Sequence, residues 1–389
     1  MCSSDLDDFT VANGSTPTIT CTASACTATT TALSEGDVTI TVSPDFAVRD
    51  IAGNETTSAA ILADTSVTYD RQVTFDSIAP VVTVQQAADQ VDPARNATIR
   101  FALTASEPLA GASVTAADVT VTNATGVTVS GSGAAYEITA TATGQGAVTI
   151  APSGTFSVSD PAGNDTTTAG GTDRTVTYDS VAPVATLTQG ADQVDPTNGA
   201  DLVFTFTTNE SVVADSVTAD DFAVSGGAIT AVTGSGSTYA IAVTAAGDGT
   251  VAIAPSLTFA VEDPAGNATT SAGGADRSVV YDSTSAVVSL EQAAGQADPA
   301  KNAAIAFTFS SSEDLRSASV TTADFDATNG TIASVTGSGD TYTVTVTATT
   351  DGDVSIAPSG AFSVADPGGN TTTVAGGTDR TVEIGRAHV

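Results

Sequence analysis

The sequence contains no tryptophan, one histidine and one lysine, Lys301. With a single histidine, the chain is poorly equipped for serine–histidine–aspartate triads and for histidine-ligated zinc sites. Only 10 Lys and Arg stand against 44 Asp and Glu, which gives a formal net charge of −34. Binding to nucleic acid depends on cationic side chains that contact phosphates. We therefore predict that the protein is not an enzyme and has no nucleic-acid partner.

Long apolar runs are also missing. No run reaches the roughly 18 residues that a membrane-spanning helix requires, so no membrane insertion is expected for this stretch. Hydrophobic residues nevertheless make up 41% of the chain. They alternate with threonine and serine and are interrupted by glycine-rich turns, which is typical of an all-β protein with many short strands.

The two ends of the sequence match one DNA string translated on opposite strands. Codons for Glu383–Val389 can be chosen whose reverse complement encodes Met1–Leu6. Residues 1–6 and 383–389 are therefore expected to be sequencing-adapter artefacts and are set aside from fold reasoning. This removes Cys2 and His388 from the native inventory.

The remaining sequence repeats itself. Tyr136, Tyr239 and Tyr342 are spaced 103 residues apart, and so are three Asp-Pro-(Ala/Gly)-Gly-Asn motifs that begin at Asp160 and its two counterparts. A period of this length fits one small domain with its own core. We predict three complete units and the C-terminal part of a fourth: 7–75, 76–178, 179–281 and 282–382.

Within the unit 76–178, alternation predicts seven strands. They are expected at 81–84, 97–104, 119–122, 127–129, 136–140, 147–150 and 174–178, with 119–122 and 127–129 paired. Seven short strands separated by turns of this kind favour an immunoglobulin-like β-sandwich. The predicted fold is a string of such sandwiches, each touching only its neighbours.

An ordered set of motifs recurs in the units. Each begins with Asp-Ser-(Ile/Val)-Ala-Pro or a variant, continues with a Glu-containing turn and Gly-Ser-Gly before the tyrosine, and reaches Asp-Pro-Ala-Gly-Asn. In this order they resemble the bacterial immunoglobulin-like repeats of large adhesins over essentially the whole native stretch. The third unit departs from the pattern, since Asp282-Ser283-Thr284-Ser285-Ala286 has no proline.

The resemblance implies a function as well as a fold. Such repeats are generally stalk or spacer domains that project a binding tip from the cell, and many bind calcium between domains. It implies an extracellular or cell-surface location, a monomeric string of domains, and a host or surface ligand bound by a tip outside this fragment. Two alternatives stay open: repeats that themselves bind a ligand such as a glycan, and accessory domains of a secreted hydrolase.

Four polar positions recur in every unit, and the topology of a seven-strand sandwich would bring them to one end. Oxygen ligands without histidine or thiolate favour Ca²⁺. The opposite reading is that Asp and Asn only shape turns. Asp92, Asp195 and Asp298 would contribute across the next junction, and Asp118 is a weaker candidate. The candidate ligands are Asp76, Glu107, Asp160 and Asn164, then Asp179, Glu210, Asp263 and Asn267, then Asp282, Glu313, Asp366 and Asn370.

Two cysteines remain after the artefact is removed. Cys21 and Cys26 flank the turn that corresponds to Gly131–Tyr136 in the next unit. A disulfide bond that closes this turn suits an extracellular protein. Two free buried thiols are the alternative.

Overall fold

The computed structural model describes residues 6–22, 25–49, 52–57 and 72–385. These residues form an all-β structure in which every described helix is a three-residue 3₁₀ turn. The chain divides into two compact units, Met1–Ser180 and Val181–Val389. The 3₁₀ turns are Leu6–Asp8, Gly111–Ser113, Ala116–Asp118, Ala214–Ser216, Ala219–Asp221, Ser317–Ser319 and Thr322–Asp324.

The N-terminal segment, residues 7–75, forms three small sheets within the first unit. Its strand orders are β1-β4-β7, β2-β3 and β5-β6. Asp50 and Arg71, whose counterparts recur in the later repeats, lie outside the described residues, as do residues 1–5 and 386–389 of the expected artefacts. The strands are β1 (Phe9–Ala12), β2 (Thr18–Cys21), β3 (Cys26–Thr29), β4 (Gly36–Val42), β5 (Ala47–Arg49), β6 (Glu55–Thr57) and β7 (Gln72–Phe75).

The first repeat, 76–178, follows in the same unit. All seven predicted strands are found, together with three strands of two residues each. The strands are β8 (Val82–Gln86), β9 (Thr98–Ala105), β10 (Val119–Thr122), β11 (Ala124–Ser132), β12 (Ala135–Ala142), β13 (Gly146–Pro152), β14 (Val158–Ser159), β15 (Asp165–Thr166), β16 (Ala169–Gly170) and β17 (Thr175–Tyr178).

These strands form a five-stranded sheet, β11-β12-β9-β8-β16, a three-stranded sheet, β10-β13-β17, and the pair β14-β15. The pairing predicted between 119–122 and 127–129 is wrong. Strand β10 pairs with β13, whereas β11 pairs with β12. Asn123, between β10 and β11, has a φ of 56° and donates from Nδ2 to the carbonyl of Gly144. This left-handed residue sends two successive strands into different sheets.

The second repeat, 179–281, has the same sheet orders, β21-β22-β19-β18-β26, β20-β23-β27 and β24-β25. Its first two residues belong to the first compact unit. The strands are β18 (Ala185–Gln189), β19 (Asp201–Thr208), β20 (Phe222–Ser225), β21 (Gly227–Ser235), β22 (Thr238–Ala245), β23 (Gly249–Pro255), β24 (Val261–Glu262), β25 (Ala268–Thr269), β26 (Ala272–Gly273) and β27 (Ser278–Tyr281).

The third repeat, 282–382, has the sheets β31-β29-β28-β35, β30-β32-β36 and β33-β34. Its last strand continues to Ile384, which is buried and occupies the position of Tyr178 and Tyr281. The strands are β28 (Val288–Gln292), β29 (Ala304–Leu315), β30 (Phe325–Thr328), β31 (Gly330–Ala348), β32 (Gly352–Pro358), β33 (Val364–Ala365), β34 (Thr371–Thr372), β35 (Ala375–Gly376) and β36 (Thr381–Ile384).

Each repeat has its own hydrophobic core. Alternation along the strands places one set of side chains inside: in β29, Ile305, Phe307 and Phe309 are fully buried. Phe309 contacts Phe325 and Phe362 with ring centroids 5.3 and 6.0 Å apart. Because a single buried aromatic ring removes a large apolar area from water, such a cluster supplies much of the stability of a domain this small.

An arginine that recurs in the repeats holds a two-residue strand against the first strand of its repeat: β16 against β8, and β35 against β28. Arg174 donates from Nε to the carbonyl of Val84 and from Nη2 to the carbonyl of Ala169. Arg380 makes the equivalent bonds to Leu290 and Ala375. The guanidinium therefore satisfies backbone acceptors where β16 and β35 run parallel to their neighbours.

Leu103 of the first repeat stands at the position of Phe309, which supplies a matched pair of substitutions. We expect Phe309→Ala to lower the free energy of unfolding of the third repeat by about 3–5 kcal/mol, because it leaves a cavity in the aromatic cluster. Phe309→Leu should cost only about 1–2 kcal/mol. Calorimetry of the full chain measures both, and equal losses in the two variants would contradict this account of the core.

Candidate metal centres

Three acidic side chains of the first repeat lie together at the end where the chain enters. Asp76 follows β7, Glu107 follows β9, and Asp160 follows β14. One carboxylate oxygen from each lies within 4.8 Å of the others. The third repeat brings Asp282, Glu313 and Asp366 together in the same way. We call these two groups the first and third carboxylate clusters.

Asp160 is the fixed member of the first cluster and is 2% exposed. Its Oδ1 accepts the N–H groups of Gly163 and Asn164 at 2.7 and 2.9 Å, and its Oδ2 accepts Nδ2 of Asn164 at 2.8 Å. Burial raises the pKa of Asp160, but these hydrogen bonds outweigh burial and lower it. The turn chemistry predicted as an alternative to metal binding is thus present, and it keeps a buried carboxylate ionised.

The asparagine of this turn ties the turn to the entering chain. Asn164 donates from Nδ2 to the backbone carbonyl of Asp76 at 3.1 Å, and Asn370 donates to the carbonyl of Asp282 at 2.8 Å. Each amide nitrogen is therefore used within the protein. Any contribution of these two residues to a cation would come through Oδ1.

The third cluster differs at Asp366, which is completely buried. Its Oδ1 accepts the N–H groups of Gly369 and Asn370 at 2.7 and 2.9 Å. Its Oδ2 is buried and has no hydrogen-bond partner among the described residues. A buried carboxylate oxygen without a partner is costly. A cation placed against this oxygen would satisfy it, so the residues present fit a metal ion.

The glutamates experience the charge of their neighbours. Burial, followed by the charges of Asp76 and Asp160, raises the pKa of Glu107. Burial, followed by the charges of Asp282, Asp366 and Asp248, raises the pKa of Glu313. Each cluster therefore repels its own glutamate, and a divalent cation would relieve that repulsion.

Candidate residues of the second repeat occupy the equivalent loops of the second compact unit. Asp263 is 1% exposed, and it accepts the N–H of Asn267 at 2.9 Å and Nδ2 of Asn267 at 2.9 Å. Glu210 follows β19, and its carbonyl accepts the hydroxyl of Thr208. Asp179 is the penultimate residue of the first compact unit.

The other predicted carboxylates have backbone partners. Asp195 accepts the N–H of Val280 at 2.8 Å, and Asp92 and Asp298 make the same bond one repeat away on either side. Asp118 accepts both the N–H and the hydroxyl of Thr115 at 2.7 Å and so caps a 3₁₀ turn. Neither the first nor the third carboxylate cluster includes any of these side chains.

Two acids next to the clusters were missed in the sequence. Ser77 donates from its backbone N to Glu35 at 3.1 Å, and Ser283 donates from its backbone N to Asp248 at 2.8 Å. Each acid belongs to the segment before the repeat it contacts. The only sequence signal is a polar residue that precedes the first glycine of β4 and of β23.

The structure bears on one of the two cysteines predicted to form a disulfide bond. Cys26 is in a disulfide bond, and the residue opposite it in the β2-β3 hairpin is Cys21. The bonding of these two cysteines to each other stays a prediction.

No protein-family profile matches the chain, and no curated protein is significantly similar to it. Among the described residues, no helix combines the length and hydropathy needed to cross a membrane. The site is therefore interpreted from its own geometry.

Replacing Glu313 distinguishes the repulsion among the carboxylates of the third cluster from their binding of a metal ion. In EGTA, we expect Glu313→Gln to raise the melting temperature of the third repeat by roughly 2–4 °C, because it removes a charge that Asp282 and Asp366 repel. In CaCl₂ the variant should gain less than the wild type, because it has lost a ligand.

Asp326→Asn is the matched control, since Asp326 is an exposed strand residue outside the cluster. It should leave both melts within about 1 °C of the wild type. Thermal unfolding in CaCl₂, MgCl₂ and EGTA measures all three proteins. A Glu313→Gln variant that melts below the wild type in EGTA and keeps the full Ca²⁺ response would contradict the assignment.

Proposed function

We propose that the chain is a run of spacer repeats similar to the bacterial immunoglobulin-like repeats of adhesins, with calcium stiffening the joints between repeats. A joint is the stretch where the last strand of one repeat leads into the opening aspartate of the next. The observation that carries the proposal is the third cluster, where three carboxylates meet at a joint around the buried, unpartnered oxygen of Asp366.

Repetition supports a structural role. The three repeats have equivalent strand orders and separate cores, with the single strand β31 of the third repeat at the positions of β21 and β22 of the second. The same turn anchors Asp160, Asp263 and Asp366. An active site is normally unique in a chain, whereas features that recur in every domain fit a mechanical role better. The proposal is that no repeat is catalytic.

Calcium is the favoured cation because every candidate donor is an oxygen. Ca²⁺ takes six to eight oxygen ligands in flexible geometry, whereas Mg²⁺ keeps most of its own waters. Three carboxylates supply part of such a shell, and water would complete it. The net charge of −34 gives the folded chain a further reason to bind divalent cations.

The location proposed is extracellular or at the cell surface. Calcium sites of extracellular modules operate at about 10⁻⁴–10⁻³ M, a range that partly hydrated sites reach. The disulfide bond of Cys26 fits an oxidising compartment. The adhesive target would be bound by a tip domain beyond these repeats, and the string would be monomeric.

Two other functions remain as alternatives, namely ligand binding by an individual repeat and service as accessory domains of a secreted hydrolase. Neither requires the joints to respond to calcium. Calcium-dependent stiffness therefore distinguishes the spacer proposal from both.

Small-angle X-ray scattering of the full chain tests the proposal. In CaCl₂ we expect a larger maximum dimension and less flexibility than in EGTA, because a cation that holds two sides of a joint restricts its bending. Asp282→Asn combined with Asp366→Asn should abolish the response at one joint and leave a smaller overall change. Identical scattering of the wild type in the two buffers would overturn the proposal that calcium stiffens the joints.

A further inference from the structure

One position of the N-terminal segment and of the first two repeats contacts the chain that follows. It is the residue before the first glycine of β4, β13 and β23. In all three cases its side chain accepts a hydrogen bond from the backbone of the serine after the next opening aspartate. The pairs are Glu35 with Ser77, Gln145 with Ser180, and Asp248 with Ser283.

Asp248 makes the most complete of these contacts. Its Oδ1 accepts the backbone N–H and the hydroxyl of Ser283 at 2.8 and 2.7 Å, and its Oδ2 accepts the hydroxyl of Thr284. These bonds hold a carboxylate of the second repeat against the first residues of the third. The residue that precedes both partners is Asp282, a member of the third cluster.

Asp248 is also electrostatically coupled to the third cluster. Its charge acts on Glu313 together with those of Asp282 and Asp366. Asp366 contributes the buried, unpartnered Oδ2 that marks this cluster as a cation site. A fourth carboxylate, from the preceding repeat, therefore contributes to the negative field at this site.

Gln145 shows that the contact itself does not need a charge. Its Oε1 accepts the backbone N–H of Ser180 at 3.0 Å, and its Nε2 donates to the hydroxyl of Ser180 at 2.8 Å. The amide thus keeps the hydrogen bonds to the linker without the negative charge. Glu35, Gln145 and Asp248 occupy equivalent positions. Comparing these residue types therefore distinguishes hydrogen bonding to the linker from the effect of a negative charge.

We infer that the charge of Asp248, a residue of the preceding repeat, strengthens calcium binding at the third cluster. Full calcium affinity would then require the joint to be correctly formed. This inference rests on the proposed function. Ligand charge is a main determinant of calcium affinity. Replacing Asp248 by an uncharged residue should weaken calcium binding at this site roughly tenfold, because it removes a negative charge that attracts the divalent ion.

The test is calcium titration of the full chain by isothermal calorimetry, in three variants. Asp248→Gln copies Gln145 and should raise the Kd of one site roughly tenfold. Asp248→Glu copies Glu35 and should stay within about threefold of the wild type. Glu313→Gln identifies which site is affected, because it should weaken the same site.

The outcomes separate the two proposals. If the wild type binds no calcium, both the proposed function and this inference are overturned. If Glu313→Gln weakens a site while Asp248→Gln leaves every Kd unchanged, the proposed function stands and the inference is overturned. Equal weakening by Asp248→Gln and Asp248→Glu would also overturn it, because the effect would then follow shape and not charge.

Discussion

A buried aspartate at one end of every repeat constrains the surrounding loops. Asp160, Asp263 and Asp366 are almost fully buried, and backbone N–H groups from the following turn hold each one. Burial of an ionised group is tolerated only when hydrogen bonds or opposite charges compensate it. In the first and third repeats, the turn, its asparagine and the entering chain are therefore arranged around this carboxylate. In the third repeat the compensation is incomplete, since one oxygen of Asp366 lacks a partner among the described residues.

The same constraint connects fold to function. In the first and third repeats, the Asp-Pro-(Ala/Gly)-Gly-Asn turn lies against the opening aspartate of its repeat. Its charge is therefore at the joint with the preceding segment and not within the hydrophobic core. Glu35 and Asp248 bring further negative charge to the joints from that preceding segment. Repulsion among these groups, and the attraction that a bound divalent cation would supply, would act in opposite directions at one place. This is the physical basis for a joint that would be loose without calcium and firm with it.

Much of the architecture was predictable from the sequence, because alternation and a 103-residue period determine strands and turns. The convergence of Asp76, Glu107 and Asp160 followed from which loops share an end. The separation of β10 from β11 was not predictable, since it depends on the left-handed backbone of Asn123. Asp248 was missed because it belongs to a different repeat from the cluster it affects. A polar residue before a strand glycine looks like an ordinary turn residue until the neighbouring repeat is in place.

The most direct test of the account is a crystal structure of the chain grown in CaCl₂, with an anomalous difference map. The account predicts an ion bound by Asp282, Glu313 and Asp366, with Oδ2 of Asp366 among ligands at about 2.3–2.6 Å. A map with no ion in this cluster, and a water molecule bonded to Oδ2 of Asp366, would contradict it. The carboxylates would then be residues that shape turns, and the joints would be held by packing and hydrogen bonds alone.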